Sequence, residues 1–217
     1  MSRWGGGAAH PGWPAAVGPL WVPAGVVRLR PARMRDAAQW SRARVAERDK
    51  LEPWEPTTEL DWYARHAVSA WPAMYSGLRA EARKGRMLPF MIEVDGRFCG
   101  QLTVGNVTHG ALRSAWIGYW VASEVTGGGV ATGALALGVD HCLGPVMLHR
   151  VEATVRPENT ASRQVLAKVG FREEGLLKRY LDVDGAWRDH CLMAITAEEI
   201  RGSAVAHLVR HGFARRA

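Results

Sequence analysis

Between Trp120 and Thr132 the chain reads Trp-Val-Ala-Ser-Glu-Val-Thr-Gly-Gly-Gly-Val-Ala-Thr, so three consecutive glycines join a strand-like end to a helix-like start. Such a junction turns several backbone N–H groups toward one point, and residues without Cβ let a bulky anion approach the main chain. The helix dipole adds about 0.3 to 1 kcal/mol of attraction. A pyrophosphate suits this arrangement. Two commoner phosphate loops do not match: a Walker loop ends in Gly-Lys-Ser/Thr and this loop has no lysine, while a Rossmann fingerprint needs glycine where Thr132 stands. A glycine-rich turn with no ligand is the competing reading of the tripeptide alone. The eight histidines show no H-E-x-x-H or comparable spacing, so no metal ion is expected.

The elements that must position this loop follow from periodicity. Residues 26–30 read as a short strand before Pro31, then a helix runs from about Met34 to Glu47. Pro53 and Pro56 break the pattern into a loop that carries Trp54 and Glu55. Thr58 with Asp61 predicts a capped helix start, with Leu60, Tyr63, Ala67, Ala70, Met74 and Leu78 at helical spacing and Pro72 kinking or splitting it. Strands are expected at 89–94 and 98–104 around an Asp95-Gly96 turn, and at 114–122. After the glycines comes a helical stripe of Ala131, Leu135, Val139 and Cys142. A strand at 147–155 puts Met147, Val151, Ala153 and Val155 on one face. Asn159 caps a helix that Gly170 ends, a hairpin turns at Asp184-Gly185, and Thr196 with Glu199 suggests a short terminal helix. The order implies a mixed sheet flanked by helices, in the α/β or α+β class.

A length of 217 residues favours one core with extensions. The first 25 residues hold six Gly and four Pro with almost no charge and no long apolar run. Residues 1–24 are therefore expected to be a flexible tail, with the folded domain at 25–199 and a basic tail or short helix at 200–217. No membrane segment is expected. Cys99, Cys142 and Cys191 lack disulfide or zinc spacing, which fits a cytoplasmic location. The net charge of +7 is spread along the chain without a nucleic-acid motif, so a direct sequence-specific nucleic-acid reader is not expected.

The glycine loop resembles the acetyl-CoA motif of the GNAT superfamily of N-acetyltransferases, Gln/Arg-x-x-Gly-x-Gly/Ala. Thr126 takes the Gln/Arg position, and Gly133 stands where relatives usually carry Glu. The stretches His149–Ala153, Pro157–Ser162 and Lys168–Gly175, with Leu51–Pro56 and Trp187–His190, resemble the RimJ/RimL group that acetylates protein amino termini, over roughly residues 25–199. The resemblance implies a mostly antiparallel central sheet and acetyl-CoA as cosubstrate. It places the coenzyme against Trp120, Val121, Thr126, Gly127, Gly128, Gly129, Val130, Ala131 and Asn159. It also implies an acceptor that is a protein or peptide N-terminus, such as that of a ribosomal protein, held near Trp54 and Glu55.

Acetyl transfer needs a neutral amine, a polarised thioester and a protonated leaving thiolate. The tyrosine that serves as acid in many relatives is replaced by Leu166, and the resemblance assigns that role to Ser162. An ordinary helix-start serine is the other reading. Asn159 is a plain cap or a cap that also meets the coenzyme, and Trp54 and Glu55 are equally readable as a packed tryptophan and a solvated carboxylate. The carboxylate some relatives carry in the next strand falls near Leu181. Glu93, Tyr119, Tyr180 and Asp182 are conceivable substitutes, and none is assigned. An α-amine with a pKa of about 7.7 to 8.0 is roughly a tenth neutral at pH 7, against well under a thousandth for lysine, so a site without a strong base favours an α-amine. The competing functions are a coenzyme-binding module without acceptor chemistry and a small-molecule amine acetyltransferase.

Overall fold

The protein is described by a computed structural model that covers residues 12–217. In chain order the elements are β1 (Val17–Val22), β2 (Gly25–Pro31), α1 (Ala37–Ala46), α2 (Arg48–Leu51), α3 (Trp62–Arg65), α4 (Trp71–Arg83), β3 (Leu88–Val94), β4 (Arg97–Thr108), β5 (Ser114–Val121) and α5 (Val130–Leu143). β6 (Arg150–Val155), α6 (Thr160–Val169), β7 (Arg172–Val183), β8 (Ala186–Thr196), α7 (Ala204–Arg210) and β9 (Arg215–Arg216) follow. Among the described residues the strands form one sheet in the order β7-β8-β6-β5-β4-β3-β2-β1-β9. Only β5 and β6 run parallel in it, so the class expected from sequence, mixed and mostly antiparallel, is the one observed.

Local chemistry explains the hairpins. Asp95 and Gly96 have φ of 49° and 79°, and Asp184 and Gly185 have 51° and 70°, so each pair places two positive-φ residues in a tight turn that matches strand twist. Their registers, Val94 opposite Arg97 and Val183 opposite Ala186, follow directly. Alternation along β3 then sorts the core: Leu88, Phe90 and Ile92 join the large cluster with α5, while Met91 joins Trp40, Trp71 and Phe98 beside α1 and α4.

Several expectations are corrected by this arrangement. Pro72 sits in the first turn of α4 and the helical stretch is split there, as expected, but Asp61 rather than Thr58 caps α3 by accepting from Tyr63 N and Ala64 N. Met147 lies outside β6 with φ 58° and is exposed. Glu199 accepts from the N–H and hydroxyl of Thr196, but the last helix begins after Ser203, which accepts from Ala206 N. Asp140 accepts from Ala204 N and Val205 N, which ties α7 to α5.

The largest correction concerns the expected tail. Residues 1–11 lie outside the described residues, but residues 17–22 are a strand between β2 and β9. Leu20 and Val22 are buried, Trp13 packs edge-on to Phe90, and His141 bonds to Gly12 O at 2.8 Å. Glycine, proline and missing charge leave a segment without local preference. They do not stop it from covering an apolar face when that face is supplied elsewhere in the chain. The same holds at the other end, where Ala204 and Leu208 of α7 are fully buried against the core.

Candidate active site

β5 and β6 pair only from Ser114 to Trp116 against Arg150 to Glu152. Beyond that point β5 continues beside β4 to Val121, and β6 continues beside β8 to Val155, so the two strands part in the middle of the sheet. Main-chain groups on the facing edges then lack a ladder partner and are open to a ligand lying between them. A cleft of about 890 Å³ fills this wedge and is lined by the end of β5, the glycine loop, the start of α5 and the start of α6. The elements before β3 close its other end with Trp40, Arg44, Trp54, Glu55 and His66.

The three glycines have three different reasons. Gly127 has φ 79° and a Cβ there would meet nothing within 4 Å, so this position is open for an approaching anion. Gly128 faces the other way: its N–H bonds to Val125 O, its carbonyl accepts from Ala24 N, and a Cβ would come within 2.5 Å of the Ala24 Cβ. Gly129 is the left-handed N-cap of α5 and rests on Pro23 and Val22. The cleft is lined by Thr126, Gly127, Gly129, Val130 and Ala131, with Gly128 outside it. The first N–H groups of α5 have no intrahelical acceptor, no side chain caps them and no acidic residue stands in the first turn. This cradle fits a pyrophosphate. Gly133, expected only to weaken the helix, packs under β1, where a Cβ would lie 2.9 Å from Val22 Cγ1. A glutamate does not fit there.

Asn159 caps α6 by accepting from Ser162 N at 3.0 Å, so the cap and the candidate acid are one construction. Ser162 Oγ lies 3.1 Å from the hydroxyl of Tyr119, which comes from β5 across the wedge. Burial pushes the Tyr119 phenol up to about 12. Leu166 is buried in the core and takes no part in the cleft. Trp120 and Val121 both line the cleft beside Tyr119, and the Trp120 ring also meets Phe98 edge-on and lies 5.1 Å from the Arg44 guanidinium.

At the far end the geometry differs from expectation. Glu55 is not a solvated carboxylate: Arg44 binds Oε1 and Arg65 binds Oε2 at 3.1 Å. Arg44 is buried between the rings of Trp62 and Trp120, at 4.7 Å and 5.1 Å. Its Nη2 lies 3.0 Å from His66 Nε2, while His66 Nδ1 lies 2.8 Å from Trp62 O. A carbonyl can only accept and a guanidinium can only donate, so His66 carries its hydrogen on Nδ1 and is neutral. Burial first, then the Arg44 and Arg65 charges, lower its pKa to about 4. One face of Trp54 is covered by Arg156 at 5.1 Å. Among the described lining residues Glu55 is the only carboxylate, and both of its oxygens are engaged.

Of the unassigned candidates for a base, Glu93 pairs with Arg30 across β2 and β3, Asp182 accepts from Thr57 Oγ1 at 2.6 Å, and Tyr180 is half exposed against His190. None of these lines the cleft, and Tyr119 does. Sequence reasoning also passed over Arg44 and His66. Their only signal was a buried face on helices whose partners lie far along the chain.

A parted parallel pair in an otherwise antiparallel sheet, with a glycine-capped helix aimed into the gap, is the frame of an acyl-coenzyme transferase. The chain belongs to the GNAT acetyltransferase family: the profile of the acetyltransferase (GNAT) domain matches residues 27–172. The solved structure of Mycobacterium smegmatis RimJ in complex with CoA-disulfide is 72% identical with a TM-score of 0.95, covering 96% of this chain and 100% of that one. The probable N-acetyltransferase YjcK of Bacillus subtilis is 30% identical over 78% of this chain and 93% of its own length. The ribosomal protein uS5-alanine N-acetyltransferase of Escherichia coli is 30% identical over 80% of this chain and 88% of its own. This protein is thus an acetyl-CoA-dependent N-acetyltransferase of RimJ/RimL type, and the alternative of a module without acceptor chemistry is set aside.

Proposed function

We propose that the acceptor is the α-amine of a protein N-terminus, a ribosomal protein among the candidates, and that Ser162 protonates the leaving thiolate. The observation that carries the acceptor class is the charge of the far end of the cleft. Glu55 is held by Arg44 and Arg65, and no other described lining residue is a carboxylate. A polyamine entering with several positive charges would meet the Arg44 guanidinium and an already engaged Glu55 but no free anion, which disfavours it. A peptide α-amine that arrives neutral needs no such anion, and the uS5-alanine relative carries that specificity in its name.

In this reading Thr126, Gly127, Gly129, Val130 and Ala131 hold the pyrophosphate on the open N–H groups of α5. Asn159 fixes the first turn of α6 so that Ser162 faces the cleft. Trp54 and Glu55 shape the acceptor wall, with Glu55 acting by holding Arg44 and Arg65 rather than by drawing in a cation. Much of the rate comes from setting two reactants side by side, worth up to about 7 to 11 kcal/mol. Three buried free thiols suit a reducing cytoplasm.

The deciding comparison is kcat/KM for a peptide beginning with Ala or Ser, for the same peptide with a blocked terminus and one internal lysine, and for spermidine. The free N-terminus is expected to win by at least about tenfold over either alternative, following the difference in neutral fraction. Equal or better turnover of the lysine peptide or of spermidine rejects the α-amine assignment.

A further inference from the structure

Tyr119 reaches Ser162 from the opposite side of the wedge. Its hydroxyl lies 3.1 Å from Ser162 Oγ and 3.4 Å from Ser162 O. The carbonyl sits inside α6, where it is the natural acceptor for the helix, and it is the more distant of the two. Among the described residues no hydrogen bond to Ser162 Oγ other than that of Tyr119 is present, and the Ser162 N–H donates separately to Asn159 Oδ1. Desolvation keeps the phenol protonated across the whole physiological range. A serine hydroxyl can donate only one hydrogen and can accept at its lone pairs. When Tyr119 donates to Oγ, the hydrogen of Ser162 is left to point into the cleft.

We propose that Tyr119 is a positioning residue for acetyl transfer, donating its O–H to Ser162 Oγ and replacing the proton that Ser162 gives to the leaving sulfur. The inference rests on the reading of Ser162 as the acid. In the balanced step the amine nitrogen bonds to the acetyl carbon, and the C–S bond breaks with its electron pair on sulfur. Sulfur takes the Ser162 proton and Ser162 takes that of Tyr119. The phenolate regains the proton that nitrogen loses, carried by water in the open cleft. The reason for a second hydroxyl is acidity: a phenol is a much stronger acid than an aliphatic alcohol, so the transient charge rests on Tyr119 oxygen rather than on a serine alkoxide.

The test is a double-mutant cycle on kcat under conditions where chemistry limits turnover. Ser162→Ala is expected to lower kcat about ten- to a hundredfold, and Tyr119→Phe about tenfold, with both KM values and coenzyme affinity within about twofold of wild type. In the Ser162→Ala background, Tyr119→Phe should change kcat by less than about twofold, because its only route to the reaction has been removed. A purely structural tyrosine would cost the same factor in both backgrounds. Should Tyr119→Phe unfold the protein, 3-fluorotyrosine at position 119 keeps the hydroxyl but makes it a stronger acid, and should change kcat when Ser162 is present and leave it unchanged in the Ser162→Ala background. Wild-type kcat for Tyr119→Phe beside a slow Ser162→Ala, equal factors in both backgrounds, or no response of kcat to fluorotyrosine overturns the role of Tyr119 alone. Wild-type kcat for Ser162→Ala removes the acid reading and this inference with it.

Discussion

His66 illustrates how much a single side chain owes to its neighbours. Its Nδ1–H donates to Trp62 O and its Nε2 accepts from Arg44, so a second proton has no acceptor and would sit beside two guanidiniums. With a folded pKa of about 4 against an unfolded value near 6.5, the unfolded chain binds more protons between these pH values. The contribution of the neutral ring is therefore complete above about pH 6.5 and is lost as pH falls toward 4. The expected result is a melting temperature that drops on acidification from pH 7.5 to 5, with a smaller drop in His66→Gln, whose amide can donate and accept but does not titrate. Equal acid sensitivity in the two proteins would show that His66 is not responsible.

The glycine loop and α5 act as one element with two faces, and substitutions on each face should separate binding from folding. Ala131 lines the cleft in the first turn of α5, where a carboxylate favours the helix but opposes a pyrophosphate. Ala131→Glu is expected to melt no lower than wild type while acetyl-CoA binds about tenfold or more weakly, as measured by calorimetry. Gly133 lies on the other face, buried beneath Val22. Gly133→Glu should instead lower the melting temperature, because a side chain there displaces β1 and brings a carboxylate into the core. If Ala131→Glu binds acetyl-CoA as wild type does, the pyrophosphate does not sit at this helix.

At the scale of the whole molecule, the two chain ends brace the coenzyme side. β1 lies between β2 and β9, Ala24 N bonds to Gly128 O, and α7 is tied to α5 through Asp140. Removing residues 1–24 would expose the apolar face that Leu20 and Val22 cover, at about 1.5 to 3 kcal/mol for each such side chain. In a protein of this size that corresponds to a fall in melting temperature of roughly 10 °C. The loop would also lose its support, so acetyl-CoA affinity should weaken together with stability. A truncated chain that melts within about 2 °C of the full one would mean that β1 is dispensable.

Residue order alone determined the features whose causes are local. Asp-Gly pairs demand positive φ and so set both hairpins, Asn159 and Gly170 bound α6, and three glycines before an apolar helical stripe mark the loop that leads into α5. The resemblance of Thr126–Ala131 and Pro157–Ser162 to the acetyltransferases added the coenzyme and the family, which the profile over residues 27–172 bears out. What the tertiary structure decided was everything that depends on distant segments meeting. Gly128 looked like part of the phosphate cradle but packs on Ala24, more than a hundred residues earlier. Glu55 looked free for a cation until Arg44 and Arg65 were brought to it. Tyr119 carried no motif, because its meaning lies in the 3.1 Å to Ser162 across a gap between two strands. A hydrogen bond or an ion pair reads distance in space. Composition and spacing record only distance along the chain, and they lose such contacts wherever the chain folds back on itself.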